Sequence, residues 1–165
     1  MAQMSAKAPV LVLGIGNILL RDEGLGVHAI KAMERIKLPD FVELLDGGTA
    51  GADLIDAISN RQKLIVIDAL DADVPPGTIM CMKLQDLPAG ASAGISLHEF
   101  GIAETLMMAR QLNCCPSQVT IIAVRPQTVD CGMELSPQIK LLMPRIIEAV
   151  LDEIETAHSS LQVSF

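Results

Sequence analysis

Residues 63–70 read KLIVIDAL, and this run decides the fold. Its apolar stretch, Leu64 to Ile67, is continuous, so a strand made from it has no solvent-facing side. Such strands lie in mostly parallel sheets whose two faces are both covered by helices. Charge enters only at Asp68, where the strand ends.

On the N-terminal side, PVLVLGIGN (9–17) predicts a strand from Pro9 to Leu13 that runs into a glycine-rich turn. Val27, Ile30, Met33 and Ile36 then recur at helical spacing. FVELLDGG (41–48) predicts a second strand, and Leu54, Ile55 and Ile58 a short helix after it. On the C-terminal side, DADVPPGT (71–78) is too short to hold a crossover helix. The next strand, Thr78 to Lys83, is therefore expected to run antiparallel to its neighbour. Residues 86–96 form a Gly/Ala/Ser loop, expected to be mobile and available for docking. A helix carrying Phe100, Ala103 and Met107 follows, and then a fifth strand, QVTIIAV (118–124). Ile139, Met143, Ile146, Val150 and Ile154 keep one helical face. Pro144 interrupts that face, so a break is expected there, with Ser136-Pro137 opening a short turn. Residues 158–165 are expected to be a loose tail beyond a core of about 9–157. The element order implies a single α/β domain: a three-layer sandwich with a twisted, mostly parallel five-stranded sheet and helices on both faces.

At 165 residues the chain is long enough for one buried core. A net charge of −8, no basic run, no Trp and no Tyr exclude nucleic-acid binding, which needs clustered cations and stacking aromatics. Mean hydropathy is +0.43, yet no apolar run approaches the roughly 20 residues of a membrane span. The opening MAQMSAKAPV lacks the apolar stretch of a secretory signal, and a cytoplasmic enzyme is the plain reading. Cys81, Cys114, Cys115 and Cys131 show no C-x-x-C spacing and are read as reduced and inert. Cys81, between Met80 and Met82, is expected to be a small buried hydrophobe.

Ligands of such sheets bind beyond the carboxyl ends of the strands. Asp22-Glu23 follows the first strand there, Asp46 ends the second, Asp68 ends the third and His98 adjoins the 86–96 loop. Asp22 suits a helix N-cap with Glu23 in the first turn. Asp46, before Gly47-Gly48, is equally a turn former or a functional acid. Asp68 needs a partner or a cation to offset its desolvation. His98 taken alone suits a solvated helix start, and His28 and His158 read as structural or exposed. The turn at Gly14 and Gly16 has Leu19 where a dinucleotide fingerprint has its third glycine, and Asp22-Glu23 would face the pyrophosphate. Two oxygen donors and an imidazole instead suit a borderline divalent ion with open coordination positions.

The run Gly16-Asn17-Ile18-Leu19-Leu20-Arg21-Asp22-Glu23-Gly24-Leu25-Gly26 resembles the G-N-x-L-x-x-D-E-G-x-G signature of the nickel–iron hydrogenase maturation endopeptidases. Asp46-Gly47-Gly48-Thr49, the strand ending Asp68-Ala69 and Ser96-Leu97-His98-Glu99 fit the same pattern in the same order. The resemblance implies a protease that removes a C-terminal peptide from the hydrogenase large-subunit precursor once nickel is inserted. It implies that Glu23, Asp68 and His98 form the metal-binding and catalytic trio, and that Asp46, Gly47 and Gly48 touch the substrate. Nickel would come with the precursor (another divalent ion can substitute in a crystal), with no organic cofactor and no nucleic-acid or membrane partner. A monomer suffices for a one-to-one encounter. A non-catalytic, nickel-dependent assembly chaperone of the large subunit is the alternative.

Overall fold

The computed structural model describes residues 6–87 and 100–163. Five strands of the described residues make one sheet: β1 (Val10–Ile15), β2 (Val42–Gly48), β3 (Lys63–Ala69), β4 (Ile79–Lys83) and β5 (Gln118–Val124), in spatial order β2-β1-β3-β5-β4. All pairs are parallel except β4 with β5, which is antiparallel as the short 71–78 connection requires. Among the described residues four α-helices cover the sheet: α1 (Leu25–Met33), α2 (Ile55–Ile58), α3 (Ala103–Gln111) and α4 (Pro137–Gln162). No helix among the described residues is long and apolar enough to cross a membrane.

Side-chain alternation along the central strands sorts the core into two layers. Val10 and Val12 of β1, with Ile65 and Ile67 of β3, pack under α1 and α4. Leu11, Leu13 and Ile15, with Leu64 and Val66, pack under α2 and α3. Asp68 continues the 64-66-68 phase, so its carboxylate emerges on the α3 side at the end of the strand. Chain order reverses between the adjacent strands β1 and β3, and the switch point of such sheets is where ligands bind.

Glycine makes the close approach of α1 to this switch point possible. A Cβ on Gly26 would stand 2.3 Å from the carbonyl oxygen of Ile67 and 2.4 Å from that of Ile15. Neither backbone atom can swing aside as a flexible side chain would. Gly26→Ala is expected to cost about 3 kcal/mol and to lower the melting temperature by about 10 °C in a circular-dichroism scan.

Three expectations are corrected. Helix α4 runs unbroken through Pro144. The buried stripe Ile139, Ile146, Val150, Ile154 keeps phase across the proline. Pro144 and Lys140 both lie on the exposed face, so the carbonyl that loses its N–H partner sits on the watered side. The same helix extends to Gln162, past the start of the expected tail, because Ala157 is buried and Leu161 packs on the α1/α4 layer. Cys81 is exposed rather than buried. Met80 and Met82 take the α2/α3 side of the edge strand, which leaves Cys81 facing the Glu153 carboxylate of α4 at 3.8 Å.

Candidate active site

The turn after β1 reverses sharply at Gly16, whose φ of +142° and contact with the Glu23 backbone both demand glycine. Asn17 Oδ1 accepts a hydrogen bond from the Leu19 N–H at 3.0 Å and holds the turn. A short 3-10 helix, Arg21–Gly24, then leads directly into α1. Asp22 and Glu23 are neighbours within it and point into different environments.

Asp22 is fully buried, with no exposed surface. Its carboxylate accepts from the backbone N–H of Gln127 (2.9 Å), Thr128 (3.0 Å) and Ser136 (2.7 Å) and from Ser136 Oγ (2.7 Å). The expected N-cap bond is absent, since no side chain caps this turn. Asp22 instead ties the Glu23-bearing turn to the segment that leads into α4. The sequence carries one usable signal for this: of two successive acids on a tight turn, only one can face a shared cavity.

Glu23 and Asp68 do share one, of about 330 Å³, at the carboxyl ends of β1 and β3, with Gly16, Asn17 and Gly48 on its walls. Asp68 is 6 % exposed. Its Oδ1 accepts from the Ala69 N–H at 2.8 Å and its Oδ2 from the Gly101 N–H at 3.1 Å. Burial pushes its carboxyl up to about 7, against the pull of those two N–H groups, and the neighbouring charge of Glu23 adds to the rise. The result is a carboxyl that exchanges its proton near neutral pH beside a second acid, in a cavity open to solvent.

His98 lies outside the described residues, three positions before Gly101 in the sequence. Among the described residues no group of three His, Cys, Asp or Glu side chains could hold a metal; Glu23 and Asp68 are a pair. Their hard oxygen donors fit a divalent cation, which would offset the desolvation of Asp68.

The DGG segment divides. The register of β2 on β1 shifts where Gly14 pairs with Asp46 and Ile15 with Gly48, leaving Gly47 as the extra residue of a bulge. Gly47 turns inward, where a Cβ would lie 2.8 Å from Leu13 Cδ1, so its lack of a side chain lets β2 pack closely on β1. Asp46 Oδ1 accepts from the Gly48 N–H at 3.0 Å. Asp46 lines an adjoining groove rather than the Glu23–Asp68 cavity, and Gly48 lines both. His28 and His158 stay out of the site. Burial, reinforced by Lys31, holds His28 below its ordinary value, and exposed His158 meets Phe41 edge-on.

Comparison with known proteins gives a consistent result. The family described as "Hydrogenase maturation protease" matches residues 27–153. The hydrogenase 2 maturation protease of Escherichia coli is 40 % identical over 144 residues, covering 86 % of this chain and 88 % of that protein. The hydrogenase expression/formation protein HupD of Thiocapsa roseopersicina is 40 % identical over 90 % of this chain and 69 % of its own length. Among solved structures, the hydrogenase maturating endopeptidase HybD from E. coli superposes with a TM-score of 0.80 at 37 % identity, over 90 % of this chain and 93 % of that one. A hydrogenase 2 maturation peptidase from a Thaumarchaeota archaeon gives 0.70 at 29 % identity, over 88 % and 97 %.

Proposed function

Because the chain belongs to the hydrogenase maturation protease family, we propose that it removes the C-terminal peptide from the nickel-loaded large-subunit precursor of a nickel–iron hydrogenase. The observation that carries this reading is the cavity shared by Glu23 and Asp68 at the sheet's switch point. In this proposal nickel is part of the substrate. Glu23, Asp68 and His98 supply donors to the ion that the precursor's cysteines already hold, and the ion thereby seats the scissile peptide beside two carboxyls. The encounter is one-to-one and cytoplasmic.

Hydrolysis adds water across one peptide bond. A base takes a proton from the water as its oxygen attacks the carbonyl carbon, the C–N bond breaks, and the leaving nitrogen takes up a proton. A group with a pKa near the working pH is best suited to both transfers. Glu23 and Asp68 both open onto the cavity, and whichever carboxylate the ion does not engage is placed to take that proton. Positive charge at the cavity would stabilise the developing oxyanion.

The deciding experiment is incubation of the purified chain with nickel-loaded and nickel-free precursor, followed by intact mass of both proteins. A precursor shortened by one C-terminal peptide only when nickel is present is the expected result. Stable association without a mass change would replace the peptidase with an assembly chaperone.

A further inference from the structure

We propose that Leu19, Val129 and Met133 form an apolar ledge on which the precursor chain flanking the scissile bond docks, with its apolar side chains entering the groove beneath Leu19. This deepens the peptidase reading and rests on it.

Leu19, Val129 and Met133 are 58 %, 47 % and 62 % exposed. They are three of the eight large exposed apolar side chains among the described residues, and all three come from two short loops. Exposed apolar residues scattered singly need no explanation; three on two loops paired backbone to backbone do.

The two loops are one unit. The Gly132 N–H donates to the Leu19 carbonyl at 2.9 Å and the Arg21 N–H to the Gly132 carbonyl at 2.8 Å, around a parallel bridge between Leu20 and Gly132. The Asp22 N–H adds a bond to the Thr128 carbonyl at 3.2 Å, above the buried Asp22 carboxylate. The exposed side chains are thus presented by a backbone already fixed at folding, and a partner that binds here orders little of this protein.

Through Leu19 the ledge adjoins a groove beside the Glu23–Asp68 cavity. Ile18, Leu19 and Val27 line a groove of about 320 Å³ that meets the Glu23–Asp68 cavity along the shared backbone at Gly16 and Gly48. That volume is at the low end for ligand pockets, roughly 300–1,000 Å³, and suits a few aliphatic side chains. A polypeptide whose scissile bond is held at Glu23 and Asp68 has the groove and the ledge within reach of its flanking residues.

The test uses Leu19→Asp, Met133→Asp and the double variant, all at exposed positions, with circular dichroism confirming the fold. Steady-state processing of nickel-loaded precursor should show KM raised by about tenfold in the double variant, with kcat within twofold of wild type. Leu141→Asp, at a position 81 % exposed on α4, should leave both constants unchanged. A double variant with wild-type KM, while the wild-type chain cleaves normally, overturns the ledge and leaves the peptidase standing. A wild-type chain that does not cleave overturns both. A wild-type dimer in sedimentation that Leu19→Asp dissociates would assign the ledge to self-association and overturn the proposal.

Discussion

Asp68→Asn is expected to stop precursor processing, by roughly a thousandfold or more, and at the same time to flatten the pH dependence of folding stability. The second effect follows from linkage. In the folded chain Asp68 titrates at about 7, and in an unfolded chain near 4. Between those values the unfolded chain releases this proton while the folded chain keeps it, so rising pH favours unfolding. The group's contribution is fully present below pH 4, falls away as pH rises through 7, and totals about 4 kcal/mol. Asn cannot titrate. Urea unfolding at pH 4 and pH 8 should therefore show the wild type losing about 4 kcal/mol more than the variant across that interval. Equal losses would mean that the carboxyl is not desolvated as described. A divalent cation that binds ionised Asp68 should likewise raise the melting temperature more at pH 8 than at pH 5. Glu23→Gln should weaken that rise.

The second large effect belongs to the other acid of the turn. Asp22→Ala removes a buried carboxylate that four donors share, and leaves the Gln127, Thr128 and Ser136 N–H groups without their acceptor. The expected loss is about 3–5 kcal/mol, or roughly 10–15 °C in melting temperature. A helix N-cap at this position would cost only about 1 kcal/mol, so the size of the loss distinguishes the two roles. Hydrogen exchange should report it locally, as lost protection of the amides of residues 127 and 128.

What was legible in the sequence depended on how locally each feature is determined. KLIVIDAL announced a strand covered on both sides because its neighbours in the chain suffice to say so, and β3 spans Lys63–Ala69. The reversed β4 was legible from a connection too short for a helix. Asp68 was legible as an acid with something to explain, since it terminates an apolar strand. Asp22 was not, because its local context suits a cap while its partners lie more than a hundred positions away. The bulge at Gly47 was not legible either, because a bulge depends on the pairing of two strands. The exposure of Cys81 is not legible, because an edge strand's alternation says which residues share a face, not which face is covered. Pro144 breaks a hydrogen bond wherever it stands, but only packing decides whether the helix survives it.

The span between Asp22 and its acceptor-seeking partners has a further consequence for biosynthesis. Those partners arrive 105 to 114 positions after the acid itself. A nascent chain that has emerged only through β5 has its five described strands and the local bonds at Asn17, but not the donors that hold the Asp22 carboxylate. The turn that carries Glu23 is therefore tied down late in translation, with the segment that ends at Ser136.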